Sequence, residues 1–153
     1  MSCEVSASRR RRQGGNALIE FALAFGILFP VLTGTFQFGY AFFVYNELQN
    51  AVRQGARYAA FKTYDSSSTT PSTAFSNSVK NSVVYGNPAG GSIPIANSLT
   101  TSNVNLIVTF ANGVPDIMTV SIQNYTLDAF LRTFTLHRPS ASFSYVGVYA
   151  PTP

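Results

Sequence analysis

From Phe21 to Tyr45 the chain carries no charged residue, and apart from Thr33, Thr35, Gln37 and the tyrosines every side chain there is apolar or absent. No other stretch restricts the fold as strongly. Roughly 20 apolar helical residues cross a hydrocarbon core about 30 Å thick, so the run suits a bilayer. Glu20 stands immediately before it, and the block Arg9, Arg10, Arg11, Arg12 stands before that, separated by the small pair Gly14-Gly15. Arginines, small residues, a lone carboxylate and then a long apolar helix describe a membrane-anchored precursor.

A chain of 153 residues holds one modest domain. Once the apolar run is set aside, the remainder suffices for a small head and leaves no room for a large enzymatic cleft. The formal charge of +4 could point to a nucleic-acid partner, but its distribution argues against one. Most of the excess lies in Arg9–Arg12, opposed only by Glu4. The six later cations, Arg53, Arg57, Lys62, Lys80, Arg132 and Arg138, nearly balance Glu20, Glu47, Asp65, Asp116 and Asp128. An arginine block beside an apolar span follows the positive-inside rule, which keeps that end in the cytoplasm. Cys3 is the only cysteine, so neither an intramolecular disulfide nor a cysteine metal cluster can form.

Three explanations compete for the first 45 residues. A cleavable secretory signal has an apolar core of about 7–15 residues followed by a small-x-small site. The run here is much longer and ends in Phe42 and Phe43, which argues against it. A plain signal anchor, from which nothing is removed, is the second. The third is a type IV prepilin-like leader, cut ahead of the apolar run so that the helix survives. Arg9–Arg12 as the basic leader, Gly15 as its last residue, Asn16 as the first mature one and Glu20 in the fifth mature position fit this third pattern.

At Gly15-Asn16-Ala17-Leu18-Ile19-Glu20-Phe21 the sequence resembles the processing motif of the TadE-like minor pilins, or pseudopilins, of tight-adherence (Flp-type) pilus systems. Phe36-Gln37-Phe38-Gly39-Tyr40 and Leu48-Gln49-Asn50-Ala51-Val52-Arg53-Gln54-Gly55-Ala56-Arg57-Tyr58-Ala59-Ala60 look like the same family's juxtamembrane pattern. The resemblance covers residues 15–62 well and the rest in outline. Pro30 departs from it, lying about one helical turn further from the glutamate than in the family. The resemblance implies a structural role without catalysis or cofactor: an inner-membrane precursor, N-terminus in the cytoplasm and head outside, that takes part in assembling a pilus and could enter the filament. Implied partners are a prepilin peptidase, other pilins or minor pilins, the assembly platform with its ATPase, and membrane lipid. An unprocessed single-pass protein with an extracytoplasmic binding head is the alternative.

Glu20 has a physical claim of its own. A carboxylate at the edge of a bilayer is costly and marks a function. A new α-amino group at Asn16 would lie four residues earlier, on the same helical face. The resemblance implies that the glutamate pairs with such an amine, commonly on an adjacent subunit. The other role open to it is to snorkel into the headgroups.

Ala22, Gly26, Pro30 and Gly34 recur every four residues as a stripe of small side chains, which in lipid lets another helix approach closely; such residues are also simply frequent in membrane helices. Pro30 lacks an amide donor and is expected to kink or loosen the helix. Tyr40, Phe42, Phe43 and Tyr45 form an aromatic belt at the far interface. Beyond it Leu48, Val52, Gly55 and Ala59 share one helical face, and Asn50, Arg53, Gln54 and Arg57 another. The expected divisions are a basic leader at 1–15, a transmembrane helix at 16–45, its amphipathic extension at 46–64 and an extracytoplasmic head at 65–153. A helix from Ala17 to Lys62 would be roughly 70 Å long.

The head is expected to be α+β. Asp65 to Thr73 is turn-rich, and Ala74–Tyr85 places Phe75, Val79 and Val83 on one face of a short helix ended by Gly86-Asn87-Pro88. The period then changes to two. Val104, Leu106, Val108, Phe110 and then Met118, Val120, Ile122 predict a hairpin, with Asn112-Gly113 and Pro115-Asp116 as turn chemistry between the strands. Leu127–Phe134 reads as a short crossing segment that could be helical. Ala141, Phe143 and Tyr145 give the third strand of a three-stranded antiparallel sheet.

No catalytic constellation stands out. His137 is the only histidine and reads as a surface residue at a strand entry. No G-x-S-x-G and no lysine-bearing phosphate loop occurs. Asn124-Tyr125-Thr126 matches an N-glycosylation sequon, a pattern short enough to arise by chance.

Overall fold

The apolar run and the amphipathic stretch after it form one helix, α1, Gln13–Phe61. A computed structural model of the chain describes residues 13–129 and 132–151. Two compact units divide between Gly39 and Tyr40. In the first, α1 runs unbroken through Pro30, and its side chains are exposed almost throughout. The second unit contains the remainder of α1 and everything after it.

Within that second unit α1 shows its amphipathicity. Leu48, Val52, Gly55 and Ala59 are buried, while Asn50, Arg53, Gln54 and Arg57 are exposed. The buried face belongs to one apolar cluster with Phe75, Val79 and Val83 of a second helix, α2, Thr73–Tyr85. Ser72 caps α2: its hydroxyl accepts the Phe75 amide at 3.1 Å and donates to Asp65 Oδ2 at 2.6 Å. Gly86, in the left-handed region at φ 67°, closes the other end.

The sheet supplies the rest of the core. Strands β1 (Val104–Ala111) and β2 (Val114–Ile122) form an antiparallel hairpin, and β5 (Ser140–Ser144) adds to the free side of β2. Met118, Val120 and Ile122 are buried, with Val104 and Val108 beside them. The opposite face mixes polar and apolar side chains: Thr119 Oγ1 and Ser142 Oγ lie 2.9 Å apart, and Ile107, opposite Thr119, is exposed. The three-stranded sheet thus has the strands expected of it, with two adjustments. Tyr145, expected on the third strand, lies one residue past the end of β5, although its N–H still donates to Asp116 O at 2.6 Å. Asn112 and Gly113, at φ 52° and 80°, alone make the turn. Pro115 and Asp116 belong to β2, and Pro115 sits opposite Phe110 at a register shift, where a missing N–H interrupts the ladder least.

Leu127–Phe134 requires a correction, because it is not a helical crossing. Two further strands, β3 (Tyr125–Ala129) and β4 (Arg132–Leu136), pair antiparallel with Leu127 opposite Phe134. Tyr125, Leu127 and Ala129 are buried and alternate with exposed Thr126 and Asp128, a period-two pattern too short to prevail over the reading of a crossing segment.

The chain's last described residues pack against the end of α1. Val146 N donates to Ala60 O (3.0 Å), Tyr64 N to Val148 O (2.9 Å) and Ala150 N to Tyr64 O (3.0 Å). Gly147 permits this approach, since a Cβ there would lie 2.7 Å from the Lys62 carbonyl oxygen. Tyr64 is fully buried, its ring edge-on to Phe75, Phe110 and Tyr145. Its hydroxyl donates to Ser68 O at 2.7 Å.

Burial pushes the phenols of Tyr64, Tyr125 and Tyr145 above the ordinary tyrosine range. A raised native value contributes stability that is complete below the unfolded value, about 10, and is lost as pH rises through the native one. The melting temperature of the full chain in detergent, followed by near-UV circular dichroism, should therefore hold steady to about pH 9 and fall above pH 10. Tyr64→Phe should lower the plateau by about 1 kcal/mol through the lost hydrogen bond and make the alkaline fall shallower. An equally steep fall in Tyr64→Phe would show that Tyr64 does not contribute to it.

Candidate functional site

The sequence-derived candidates lie on the first unit's part of α1, with one exception. Arg9, Arg10, Arg11 and Arg12 fall outside the described residues. Gly15 and Asn16 occupy the opening of α1, both exposed, and among the described residues nothing lies within 4 Å of where a Gly15 Cβ would be. Glu20 follows Asn16 by one helical turn and is also exposed. The i, i+4 spacing puts the Asn16 backbone nitrogen and the Glu20 carboxylate on one face.

Ala22, Gly26 and Pro30 are exposed and Gly34 is half-buried. Among the described residues nothing beyond the helix's own backbone approaches within 4 Å of a Cβ built at Gly26 or Gly34. The stripe is flanked by an aromatic row one position earlier. Phe21 and Phe25 stack with centroids 5.9 Å apart, and Phe25 and Phe29 at 5.3 Å. Because Pro30 has no N–H, the Gly26 carbonyl lacks its usual helical donor. One turn further on, the Thr35 hydroxyl donates to Val31 O at 2.9 Å, returning a side-chain donor to the backbone near the proline.

The exposure of this segment is its main physical property. Phe21 is 66 %, Ile27 73 % and Phe38 73 % exposed. The helix is long and apolar enough to cross a membrane, and none of its most apolar window is covered by the rest of the chain. Such a surface needs lipid or other helices around it. The arrangement offers no acid–base pair for catalysis. Among the described residues no group of three or more His, Cys, Asp or Glu side chains could hold a metal ion. His137 is exposed between β4 and β5.

Residues 15–57 match the family model described as TadE-like protein. Over those residues the chain is TadE-like. No curated protein and no solved structure matches it. The TadE-like match opens at Gly15 and closes at Arg57, so it takes in Gly15, Asn16, Glu20 and the small-residue stripe, then continues through Gly55. The match suggests involvement in Tad pilus systems, and the apolar helix, long enough to cross a membrane, suggests membrane association. The family is a structural pilus component. The match stops before α2 and the sheet, so it says nothing about what that part of the second unit touches.

Sequence reasoning placed Gly55 on the buried face but missed what it meets. A Cβ there would lie 2.2 Å from Val83 Cγ2. A glycine on the apolar face of an otherwise good helix was the available signal. Tyr64 and the segment after Tyr145 went unread; Val146-Gly147-Val148-Tyr149 is too short to declare a partner.

Proposed function

We propose that the chain is a minor pilin or pseudopilin of a Tad (Flp-type) pilus, made as a membrane precursor and cut by a prepilin peptidase between Gly15 and Asn16. The carrying observation is that the TadE-like match begins at Gly15, with Glu20 one turn beyond Asn16 on a helix whose most apolar window is left uncovered by the described residues. Cleavage would release the leader 1–15 with Arg9–Arg12 and leave an α-amino group on Asn16. At neutral pH that amine is largely protonated, and it would neutralise a Glu20 carboxylate held at the lipid boundary.

In this reading residues 16–45 span the inner membrane, 46–64 extend the helix, and 65–153 form the head outside. The stripe Ala22, Gly26, Pro30, Gly34 receives a neighbouring pilin helix. Other pilins, the assembly platform and its ATPase are the partners, and the role is structural. Intact mass spectrometry of the protein extracted from membranes of its native host tests the first step. A mature N-terminus at Asn16 is expected; one at Met1 or Ser2 in cells that contain the peptidase overturns the reading.

A further inference from the structure

The three-stranded sheet leaves the backbone of both its edge strands unpaired, and hydrogen bonds at the strand ends fix which groups face outward. Tyr145 N donates to Asp116 O (2.6 Å) and Ile122 N to Pro139 O (3.0 Å), so the odd positions of β5 face β2. Ser140, Ser142 and Ser144 therefore turn their N–H and C=O groups away from the sheet. Likewise Gln123 N donates to Asn103 O (2.8 Å), so Asn105 and Ile107 face β2 while Leu106 and Val108 turn outward. Among the described residues neither outward row has a hydrogen-bond partner. Natural sheets blunt such edges with charge or proline, and neither β1 nor β5 contains either.

The two edges also match each other. β1 and β5 both run antiparallel to β2, so they run in the same direction. Across the sheet Ile107, Thr119 and Ser142 form one row, and Val108, Met118 and Phe143 form the next, on the core face. Phe143 is 39 % exposed although Met118 beside it is fully buried, because no strand flanks β5 on that side. A copy moved sideways without turning sets its β1 beside β5 with both faces in agreement. Ile107 then lies next to Ser142, and Val108 covers Phe143.

We propose that β5 of one copy pairs in parallel with β1 of a second copy and so continues the sheet from one molecule into the next. Direction, charge and size identify the occupant. Sideways displacement keeps every segment of the two copies parallel, as anchors in one membrane require. Pairing β5 with β5 about a two-fold axis would instead reverse one copy in the plane of the sheet, together with the face of α1 that shares its core. With no charge on either edge, no like charges oppose each other. A contact along the five residues of β5 falls short of the roughly 1,000 Å² of a stable interface, so it forms where a shared membrane orients and concentrates the copies. The contact is heterologous, and each end of a row still presents one free edge.

The inference rests on the membrane placement in the reading above, but not on cleavage or piliation. Cysteine pairs test it in membranes of the native host, with Cys3→Ser removing the one native thiol. Neighbouring strands lie about 4.8 Å apart, inside the Cα spacing of about 4.4–6.8 Å that a disulfide accepts. Within one copy, β2 holds Ile107 and Ser142 at about twice that distance. Ile107→Cys/Ser142→Cys should therefore give a ladder of dimers and higher species on oxidation with copper phenanthroline, and each single variant should stay monomeric. Thr109→Cys/Ser144→Cys, one row pair further on, should do the same and serves as a second pair. Both ladders should exceed at least tenfold the collisional level set by Ile107→Cys/Thr126→Cys, whose second thiol is exposed on β3. Ser142→Pro removes an outward N–H that β2 does not use, so it should cut the Thr109→Cys/Ser144→Cys ladder at least tenfold and leave the melting temperature within a few degrees.

Ladders at the collisional level from variants with wild-type melting temperatures would overturn the proposal. So would Ser142→Cys dimerising by itself, which would mean two-fold pairing of β5, or joining to a different protein. An unchanged ladder in the Ser142→Pro background would overturn it as well. Ladders together with an uncleaved N-terminus would keep this contact and discard the prepilin reading; a mature N-terminus at Asn16 without ladders would do the reverse.

Discussion

Glu20→Ala should leave the protein inserted in the membrane at wild-type levels while reducing surface pili at least tenfold. The two halves of this expectation have one cause. A carboxylate near the apolar span opposes insertion, by as much as about 2.5–3.5 kcal/mol at a helix centre and less at its edge. Removing it cannot harm insertion. What the substitution removes is the counter-charge for an amine at Asn16. Two unit charges about 4 Å apart at an effective dielectric of 20 attract by about 4 kcal/mol before desolvation is subtracted, and a loss of only 1.4 kcal/mol is already tenfold in an equilibrium. Glu20→Gln should behave like Glu20→Ala, since it keeps the shape and loses the charge. Glu20→Asp should retain part of the function. Immunoblots of membrane fractions measure insertion and sheared-pilus yield measures assembly. Wild-type piliation in Glu20→Ala would mean that the glutamate only faces the headgroups, and the chain would then be a plain membrane anchor.

The parts of the molecule that could be read from sequence are those whose determinants are local. The charge-free run from Phe21 to Tyr45 is long and apolar enough to cross a membrane, where backbone groups must be satisfied within the segment, and that alone favours a helix. Phe75, Val79 and Val83 at four-residue spacing gave α2, and all three are buried. The alternation in Val104–Phe110 and Met118–Ile122 gave the hairpin, with Asn112-Gly113 as its turn. The less legible parts depend on partners far along the chain. Tyr125, Leu127 and Ala129 form a strand because Leu136, Phe134 and Arg132 lie opposite them, a pairing that five-residue patterns do not announce. Tyr64 is buried by Phe75, Phe110, Tyr145 and Tyr149, the last two more than 80 positions away. The candidate assembly residues differ again: Gly15, Asn16 and Glu20 were legible only as a motif, since their proposed partners are a peptidase and another subunit. All three are exposed in the described structure.

Gly55→Ala should destabilise the second unit by about 1–2 kcal/mol, against the ordinary sign of such a change. In a helix interior, replacing glycine by alanine normally stabilises by about 0.5–1 kcal/mol. At Gly55 the new Cβ would lie 2.2 Å from Val83 Cγ2, 3.5 Å from Val83 Cβ and 3.7 Å from the Val79 carbonyl oxygen. Val83 cannot readily move aside. It is fully buried, and a β-branched side chain in a helix has one strongly preferred χ1. The helices must separate or the valine must leave its rotamer, and overpacking of this kind costs about 1–3 kcal/mol. Gly55→Val should be worse still and leave little folded second unit. Val83→Ala tests the cause. Alone it should cost about 2 kcal/mol from the lost methyl groups and the cavity they leave. In that background Gly55→Ala should reverse sign and stabilise by about 0.5–1 kcal/mol, because the contact that opposed it has gone and the helix propensity remains. With about 4–8 °C of melting temperature per kcal/mol for a domain of this size, the reversal is measurable by circular dichroism of the full chain in detergent. If Gly55→Ala destabilises equally in both backgrounds, the two helices do not meet at Val83, and the close approach assigned to α1 and α2 is wrong.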